Sequence, residues 1–170
     1  MTSEHFQTFA RYNAWADRRL YDACAQLSDE EYRKDRKAFF RSIHNTLNHL
    51  LIGTRVWLAR LTKTEHGVKR LDEILYDDFA TLRRACEAED ERLTHYVDGL
   101  DGMRLASILE YKTTAGPVGA LPIATILSHL FNHQTHHRGQ VHAMLTQTGV
   151  AAPQLDLLYY AMERAGQTWR

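Results

Sequence analysis

The scarcity of helix-breaking residues is the feature of this sequence that most limits how it can fold. Its three prolines, Pro117, Pro122 and Pro153, all lie in the last third of the 170 residues, and glycine occurs nine times. Because proline and glycine disfavour helices most strongly, long segments before Pro117 are free to be helical. In the first segment, residues suited to a core recur at alternating spacings of three and four, as in a packed helix: Phe6, Phe9, Asn13, Ala16, Leu20, Ala23 and Leu27.

Three further segments share this helical period, and they cover residues 42–61, 77–97 and 123–148. We expect Gly149 to end the last of them, at a position where a left-handed cap is often needed. The sequence therefore predicts an all-α four-helix bundle. This bundle is expected to form a single domain over residues 1–170.

Shorter elements are predicted between and after the long helices. Ser28, followed three residues later by Glu31, has the spacing of a helix start, and Pro153 begins a final short helix. Residues 105–122 contain apolar, β-favouring runs around an Ala-Gly-Pro turn signal, so they predict a short hairpin or extended excursion before the fourth helix. The outer face of the third helix is predicted to be a solvated surface, and its charged residues are Arg83, Arg84, Glu87, Glu89, Asp90, Glu91 and Arg92.

Composition argues against several classes of partner. Lysine plus arginine equals aspartate plus glutamate at 21 each, and no basic stripe is present, which argues against nucleic acid as the main partner. No apolar run is long enough for a membrane helix, and the N-terminus lacks a signal-peptide pattern. The two cysteines, Cys24 and Cys86, are far apart in sequence. We therefore expect a cytoplasmic protein in a reducing compartment.

Histidine is concentrated in one segment, because five of the ten histidines lie between His129 and His142. Side chains four residues apart on a helix share a face, with Cβ atoms about 5–6 Å apart, so two imidazoles at this spacing can bind one ion. His133 and His137 have this spacing, and so do His129 and His133. His133 and His136 are three residues apart. Spacing alone therefore leaves the pair open.

Positions around the fourth helix favour His133 and His137 as the pair. At about 100° per residue, these two histidines straddle the centre of the apolar face. His129 and His136 lie on its flank, where they either support the ligands or take no part, and His142 lies on the opposite side. The apolar face is defined by Ile126, Leu130, Val141 and Met144.

The second helix supplies a third candidate ligand. His49 faces the core there, and Gly53, one turn further on, leaves space beside it. His44 lies away from this face and is expected to be exposed. The same is expected of His5, His66 and His95. A single core histidine is usually structural, but three on two helices need polar partners, so they predict a site for one divalent metal ion per chain at His49, His133 and His137.

The ligand types limit the identity of the ion. Three imidazoles without a thiolate suit zinc, nickel, copper or iron, rather than magnesium or calcium, which prefer oxygen ligands. Three protein ligands leave a coordination position open for water or substrate. Gln140, near His137, is the polar residue best placed to hydrogen-bond a metal-bound water or to orient a substrate. Weaker candidates are Asn45, Asn48 and Asn132. No carboxylate is placed as an obvious general base.

Four stretches of the chain resemble the DinB family of metalloenzymes, part of the larger DinB/YfiT-like group. Residues 12–23 (YNAWADRRLYDA) are similar to the family's opening helix, and residues 42–58 (SIHNTLNHLLIGTRVWL) to the helix that carries one ligand histidine before a tryptophan. Residues 131–145 (FNHQTHHRGQVHAML) are the most specific stretch, and residues 153–160 (PQLDLLYY) resemble the usual ending. The likeness spans nearly the whole chain.

This resemblance implies a fold, a ligand set and an assembly. His49, His133 and His137 match the family's metal ligands, the helices take an up-down-down-up order, and the ion is usually nickel or zinc. The resemblance also implies a homodimer, and exposed aromatic residues such as Tyr12 and Trp169 are consistent with one.

The resemblance further implies a thiol-dependent activity. Relatives use bacillithiol, mycothiol or glutathione, either as S-transferases or as maleylpyruvate isomerase. We therefore expect a metal-dependent enzyme that activates a low-molecular-weight thiol for S-transfer to an electrophile. The alternatives are a metal-dependent hydrolase and a non-catalytic, metal-stabilised helical bundle.

Overall fold

The protein is an all-α four-helix bundle with a short β-hairpin, as predicted. Its structure is a computed structural model that describes residues 1–113 and 116–168. Its long helices are α1 (Ser3–Cys24), α3 (Ile43–Thr62), α4 (Phe79–Asp98) and α6 (Ile123–Leu145). The short helices are α2 (Asp29–Arg33), α5 (Gly102–Ala106) and α7 (Leu157–Arg164). The hairpin pairs β1 (Ile108–Lys112) with β2 (Val118–Pro122) in antiparallel register.

Side-chain caps explain where most helices begin. A hydroxyl or carboxylate oxygen accepts the backbone N–H three residues further on at Thr2, Ser28, Ser42, Asp78 and Asp101. The prediction for the end of α6 was wrong. This helix ends at Leu145 with a right-handed residue at Thr146, and Gly149 is not among the residues with positive φ. The last turn therefore closes without a left-handed glycine.

Contacts at both ends of α1 show that it runs antiparallel to α4. Arg11, early in α1, pairs with Asp98 at the end of α4, and Asp22, late in α1, pairs with Arg83 near the start of α4. Phe6 packs near Phe131, so α6 runs parallel to α1, as the bond from Arg138 to Asn13 also shows.

Helix α3 runs antiparallel to α6, because His49 lies beside His137, whereas Trp57 lies beside the earlier residue His129. Helices α1 and α3 each pack against α4 and α6, so α1 and α3 are diagonal. The order is therefore up-down-down-up, as the family resemblance implied.

This order requires a long connection between α3 and α4, since the two helices are parallel and the chain must return along the bundle before α4 begins. Residues 63–78 form that connection. Asn48 anchors it, because its Oδ1 accepts the N–H groups of Leu75 and Tyr76 at 2.9 and 3.1 Å. Asn48 thus holds a loop and does not line the histidine cluster.

A polar layer separates two apolar halves of the core. One half includes Phe6, Leu58, Leu93 and Leu127, and the other includes Leu20, Leu47, Leu82 and Leu145. Asn13, Asp17, Gln134 and Arg138 lie between them and are buried. The candidate ligand histidines lie at this same level of the bundle.

Two acidic residues predicted on the solvated face of α4 are buried. Glu89 accepts from Arg55 Nε at 2.9 Å, and Asp90 accepts from Asn13 Nδ2 at 2.9 Å. Because α4 packs against both α1 and α3, its buried arc is wider than apolar periodicity indicated. Cationic and amide partners on those helices make the burial of these carboxylates possible.

Two further residues predicted to be exposed are also buried. The Tyr12 hydroxyl donates to the Leu155 carbonyl at 2.8 Å, because the segment before α7 covers it. His44 packs edge-on against Tyr32 of α2, with ring centroids 5.2 Å apart. Tyr12 therefore offers no exposed surface for a dimer contact, and Trp169 lies outside the described residues.

Candidate metal centre

The antiparallel packing of α3 and α6 brings His49, His133 and His137 together. One ligand nitrogen of each residue lies within 4.8 Å of the others. Among the described residues, no other group of three or more histidine, cysteine or acidic side chains is arranged in this way. The cluster lies where a side chain of α3 faces two successive turns of α6.

Two of the three rings are fixed through their outer nitrogens. His49 Nδ1 donates to the Leu71 carbonyl at 2.8 Å, so its Nε2 carries the free lone pair. His137 Nδ1 lies 2.8 Å from Gln140 Oε1, which leaves Nε2 of His137 free in the same way. Hydrogen bonds of this kind orient metal-binding histidines in proteins.

Gly53 makes room for the third ring. A Cβ at this position would lie 3.0 Å from Cε1 and 3.3 Å from Nδ1 of His133, so a larger residue would displace the imidazole. Sequence reasoning had placed this space beside His49, one turn earlier on α3. With Nδ1 of His133 directed at helix α3, its Nε2 is the nitrogen that faces the cluster.

Burial keeps the three imidazoles neutral. Together with the neighbouring His137 and His49, it lowers the pKa of His133 to about 3. Burial also lowers the pKa of His49 and of His137, against opposing hydrogen bonds from the Leu71 carbonyl and Gln140. Only a neutral imidazole can bind a metal, so the cluster is ready for an ion at neutral pH.

The nitrogen positions fit a divalent transition ion. Nε2 of His49 and Nε2 of His133 lie 3.1 Å apart. Two nitrogens that bind one ion at 2.0–2.1 Å in tetrahedral geometry are about 3.4 Å apart. Nδ1 of His133 is buried without a hydrogen-bond partner among the described groups, so the position of this ring depends on packing against Gly53.

Phe40 forms one wall of the cluster, and sequence reasoning missed it. Its ring stacks on His49 with centroids 4.0 Å apart and lies edge-on to His137 at 5.4 Å. The tight loop before α3 places it there, with left-handed residues at Lys37 and Arg41. Two consecutive phenylalanines before a capped helix were the available signal, but only the tertiary fold shows which ring turns inward.

His129 and His136 flank the cluster and do not belong to it. The ring of His129 packs against Trp57 with centroids 5.3 Å apart. His136 is exposed, with Nε2 3.2 Å from Gln140 Nε2. Gln140 thus lies between His136 and His137, and its amide oxygen faces the candidate ligand.

A second polar cluster, which sequence reasoning also missed, lies on the inner side of α6. Arg138 donates to Asn13 Oδ1 at 2.8 Å and to Asp17 Oδ1 at 3.0 Å. Asn13 Nδ2 in turn donates to both Asp17 and Asp90. Burial raises the pKa of Asp90 well above its usual range, and the negative charge of Asp17 raises it further.

Comparison with known proteins agrees with this fold. The model of the DinB family matches residues 1–169. The chain belongs to the DinB family. Over 156 residues it is 26% identical to protein DinB of Bacillus subtilis, a match that covers 88% of this chain and 89% of that protein.

The fold is also found in a solved DinB-like structure. The crystal structure of a DinB-like protein from Bacillus cereus superposes with a TM-score of 0.71 at 20% identity, over 90% of this chain and 97% of the other. At this identity the likeness concerns the fold. None of the helices in the described part of this DinB-family chain has the length and apolar character that a membrane crossing requires.

Proposed function

We propose that this DinB-family protein is a metal-dependent enzyme that transfers a low-molecular-weight thiol to an electrophile. His49, His133 and His137 would hold one divalent ion, with zinc and nickel favoured over iron and copper. A bound ion of this kind supplies Lewis acidity and lowers the pKa of a thiol. The observation that carries the proposal is the convergence of three neutral imidazoles on one point between two helices.

The partners of the three rings favour a thiol over water as the nucleophile. The Nδ1 atoms of His49 and His137 bond to a backbone carbonyl and an amide, and no carboxylate in the described part of the chain bonds to the three rings. Metal-dependent hydrolysis of the HExxH type relies on a glutamate as general base beside the ion. A thiol is far more acidic than water and needs no such base.

The protein groups around the cluster have defined tasks in this proposal. The Leu71 carbonyl and Gln140 hold two of the rings in place, and Phe40 shields one side from water. In the transfer, the thiol proton passes to solvent and a sulfur lone pair forms the new S–C bond. The leaving group departs with the electron pair of the bond that breaks, so no oxidant or reductant is required.

Metal analysis and a thiol assay test the proposal. Mass spectrometry of native protein without a histidine tag should find about one first-row transition ion per chain. With monochlorobimane as electrophile, conjugation of a thiol should be faster than the uncatalysed rate, should be lost after chelation and should return with zinc or nickel. His49→Ala should be inactive and His142→Ala active.

Each alternative has its own outcome in this assay. Metal-dependent ester hydrolysis without thiol conjugation would favour a hydrolase. A bound ion without turnover of any thiol or ester would favour a metal-stabilised bundle. Protein that neither contains nor takes up a transition ion would contradict the proposal at its foundation.

We also propose a homodimer in a reducing compartment such as the cytoplasm. The proposal of a dimer is based on the family resemblance. Light scattering at micromolar concentration tests this proposal, and a monomer mass would contradict it. The compartment rests on Cys24 and Cys86, which are buried and free. Burial raises the pKa of Cys24 to about 12, so neither its position nor its acidity suits disulfide exchange.

A further inference from the structure

Arg60 differs from the other arginines that are shielded from solvent. Each of those has an acidic partner, and the pairs are Arg33–Asp29, Arg36–Glu31, Arg55–Glu89, Arg83–Glu87 and Arg138–Asp17. Arg60 is half-buried, and within the described residues its side chain forms no ion pair or hydrogen bond. Shielding a cation from water without an anion costs free energy. The charge of Arg60 carries this cost, because no acidic side chain of the described residues pairs with it.

Two aromatic rings hold this cation in place. The guanidinium carbon of Arg60 lies 4.6 Å from the ring centroid of Trp57 and 5.3 Å from that of Tyr111. The two rings pack edge-on, with centroids 5.1 Å apart. Such contacts stabilise a cation and leave its N–H donors free to bind an anion.

The hairpin is built to place Tyr111 at this position. Tyr111 pairs with Gly119 across the two strands, and a Cβ on Gly119 would lie 2.7 Å from Cζ of Tyr111. The ring therefore lies across the opposite strand in space that only glycine leaves. We call Trp57, Arg60 and Tyr111 the cationic shelf.

The cationic shelf and the histidine cluster are linked by ring contacts between α3 and α6. The ring of His129 connects them, because its centroid is 5.3 Å from that of Trp57 and 5.9 Å from that of His133. Arg60 follows His49 by eleven residues on α3, a rise of roughly 16 Å. Helical side chains lean toward the N-terminus, so the guanidinium lies closer to the cluster than this rise.

On its other side, toward the start of α3, the histidine cluster meets an apolar ring. Phe40 lies against the cluster there, and Phe39 next to it is exposed. An apolar ring and a cation therefore lie on different sides of the three histidines. A molecule that carries an anion is expected to extend toward Arg60 and not toward Phe40.

We infer that the cationic shelf binds a carboxylate of the thiol substrate while the sulfur lies at the histidine cluster. The inference rests on the proposed thiol-transfer function and specifies its substrate class. The thiol should carry its carboxylate at the end of an extended chain, because His49 and Arg60 are separated by roughly 16 Å of helix rise before the lean of the side chains is subtracted. The shelf would then select the thiol, and the Phe40 end would remain for an apolar electrophile.

Thiol binding to the cobalt(II)-loaded protein tests this inference, with the sulfur-to-cobalt charge-transfer absorption as the readout. The probes are glutathione, a tripeptide thiol with two carboxylates, its diethyl ester and β-mercaptoethanol. Arg60→Gln should weaken glutathione binding by about 10- to 100-fold, the usual effect of losing a charge-assisted hydrogen bond. Binding of the ester and of β-mercaptoethanol should stay unchanged. Arg60→Lys should have an intermediate effect, and the exposed Arg84→Gln none.

The other outcomes separate failure of the shelf from failure of the proposed function. Unchanged glutathione binding in Arg60→Gln would overturn the inference and leave thiol transfer standing. Equal loss for all three thiols would also overturn it, because Arg60 would then act on the fold or the metal. Absence of the absorption with every thiol in the unmodified protein would overturn thiol transfer, and the inference with it. Cobalt content and far-ultraviolet circular dichroism verify that each variant is folded and loaded.

Discussion

Helix α6 contributes to two polar clusters at one level of the bundle. In the closed cluster, around Gln134 and Arg138, the polar side chains bond to other protein groups, whereas in the open cluster of His49, His133 and His137 the converging nitrogens have room for an ion. His133 and His137 face α3, where their inner nitrogens converge with that of His49. Gln134 and Arg138, one residue further on in each case, face the interior and bond to protein groups of α1 and α3. A buried polar cluster closed by its own partners stabilises the fold, whereas one left open is a binding site.

The largest expected effect comes from breaking the closed cluster. Arg138→Met removes the cation from the buried Asp17, which should lower the free energy of unfolding by about 3–5 kcal/mol. Urea denaturation followed by circular dichroism measures it. The exposed Arg84→Met is the control and should change stability little. A loss below about 1 kcal/mol for Arg138→Met would show that the interior cluster does not hold the helices together.

Removing a ligand from the open cluster should abolish metal binding without this loss of fold. Metal affinity should fall by more than about 100-fold in each of His49→Ala, His133→Ala and His137→Ala. A loss of about 100-fold is the most that is expected when a residue that only hydrogen-bonds to a ligand is removed. Competition with a chromogenic chelator measures the affinity.

Three histidines of α6 serve as controls for the ligand assignment. His142→Ala, His129→Ala and His136→Ala should keep most of the affinity, since none of these residues belongs to the group of converging nitrogens. Loss of binding in His129→Ala, with binding retained in His137→Ala, would require a different ligand set.

A smaller effect is expected from the residue that supports a ligand. Gln140→Leu removes the acceptor for His137 Nδ1, so metal affinity should fall by about 10- to 100-fold. Asn132→Leu, an exposed amide on the same helix, is the matched control. If both variants bind equally well, the orientation of His137 depends on packing against Phe40 and not on Gln140.

The smallest expected effect concerns pH and the closed cluster. Burial and the charge of Asp17 raise the pKa of Asp90, so the folded protein binds a proton that the unfolded chain releases near pH 4. The resulting stabilisation is complete below that pH and is lost as pH rises through the folded pKa. Asp90→Asn keeps the acceptor for Asn13 and should flatten this decline in unfolding free energy. An unchanged pH profile would mean that another group holds the proton.

The same periodicity accounts for what sequence reasoning found on α6 and for what it missed on α4. Positions around the helix identified His133 and His137 because apolar neighbours surround them on both sides. The same reasoning treated Asp90 as solvated, since a charged residue among charged neighbours has the pattern of a surface. Its burial depends on Asn13 and Arg138, which lie on two other helices.

Long-range partners also explain the errors at Tyr12 and His44. Each was judged by its own helix, yet Tyr12 is covered by the segment that precedes α7 and His44 by α2. Short peripheral elements of this kind bury side chains that the period of a long helix leaves outside. The left-handed cap expected at Gly149 was wrong because α6 ends four residues earlier, at Leu145.

By itself, the sequence determined the helical class, the hairpin, the capped start of α2, the start of α3 near residue 42, and the three histidines that converge. These features depend on local signals, because proline position, capping spacing and a helical period act within a few residues. Only the tertiary structure decided that Phe40 covers the cluster, that Arg60 lies unpaired on Trp57 and Tyr111, and that Asp90 is enclosed. Those outcomes depend on which helices become neighbours, and packing between segments distant in sequence selects them.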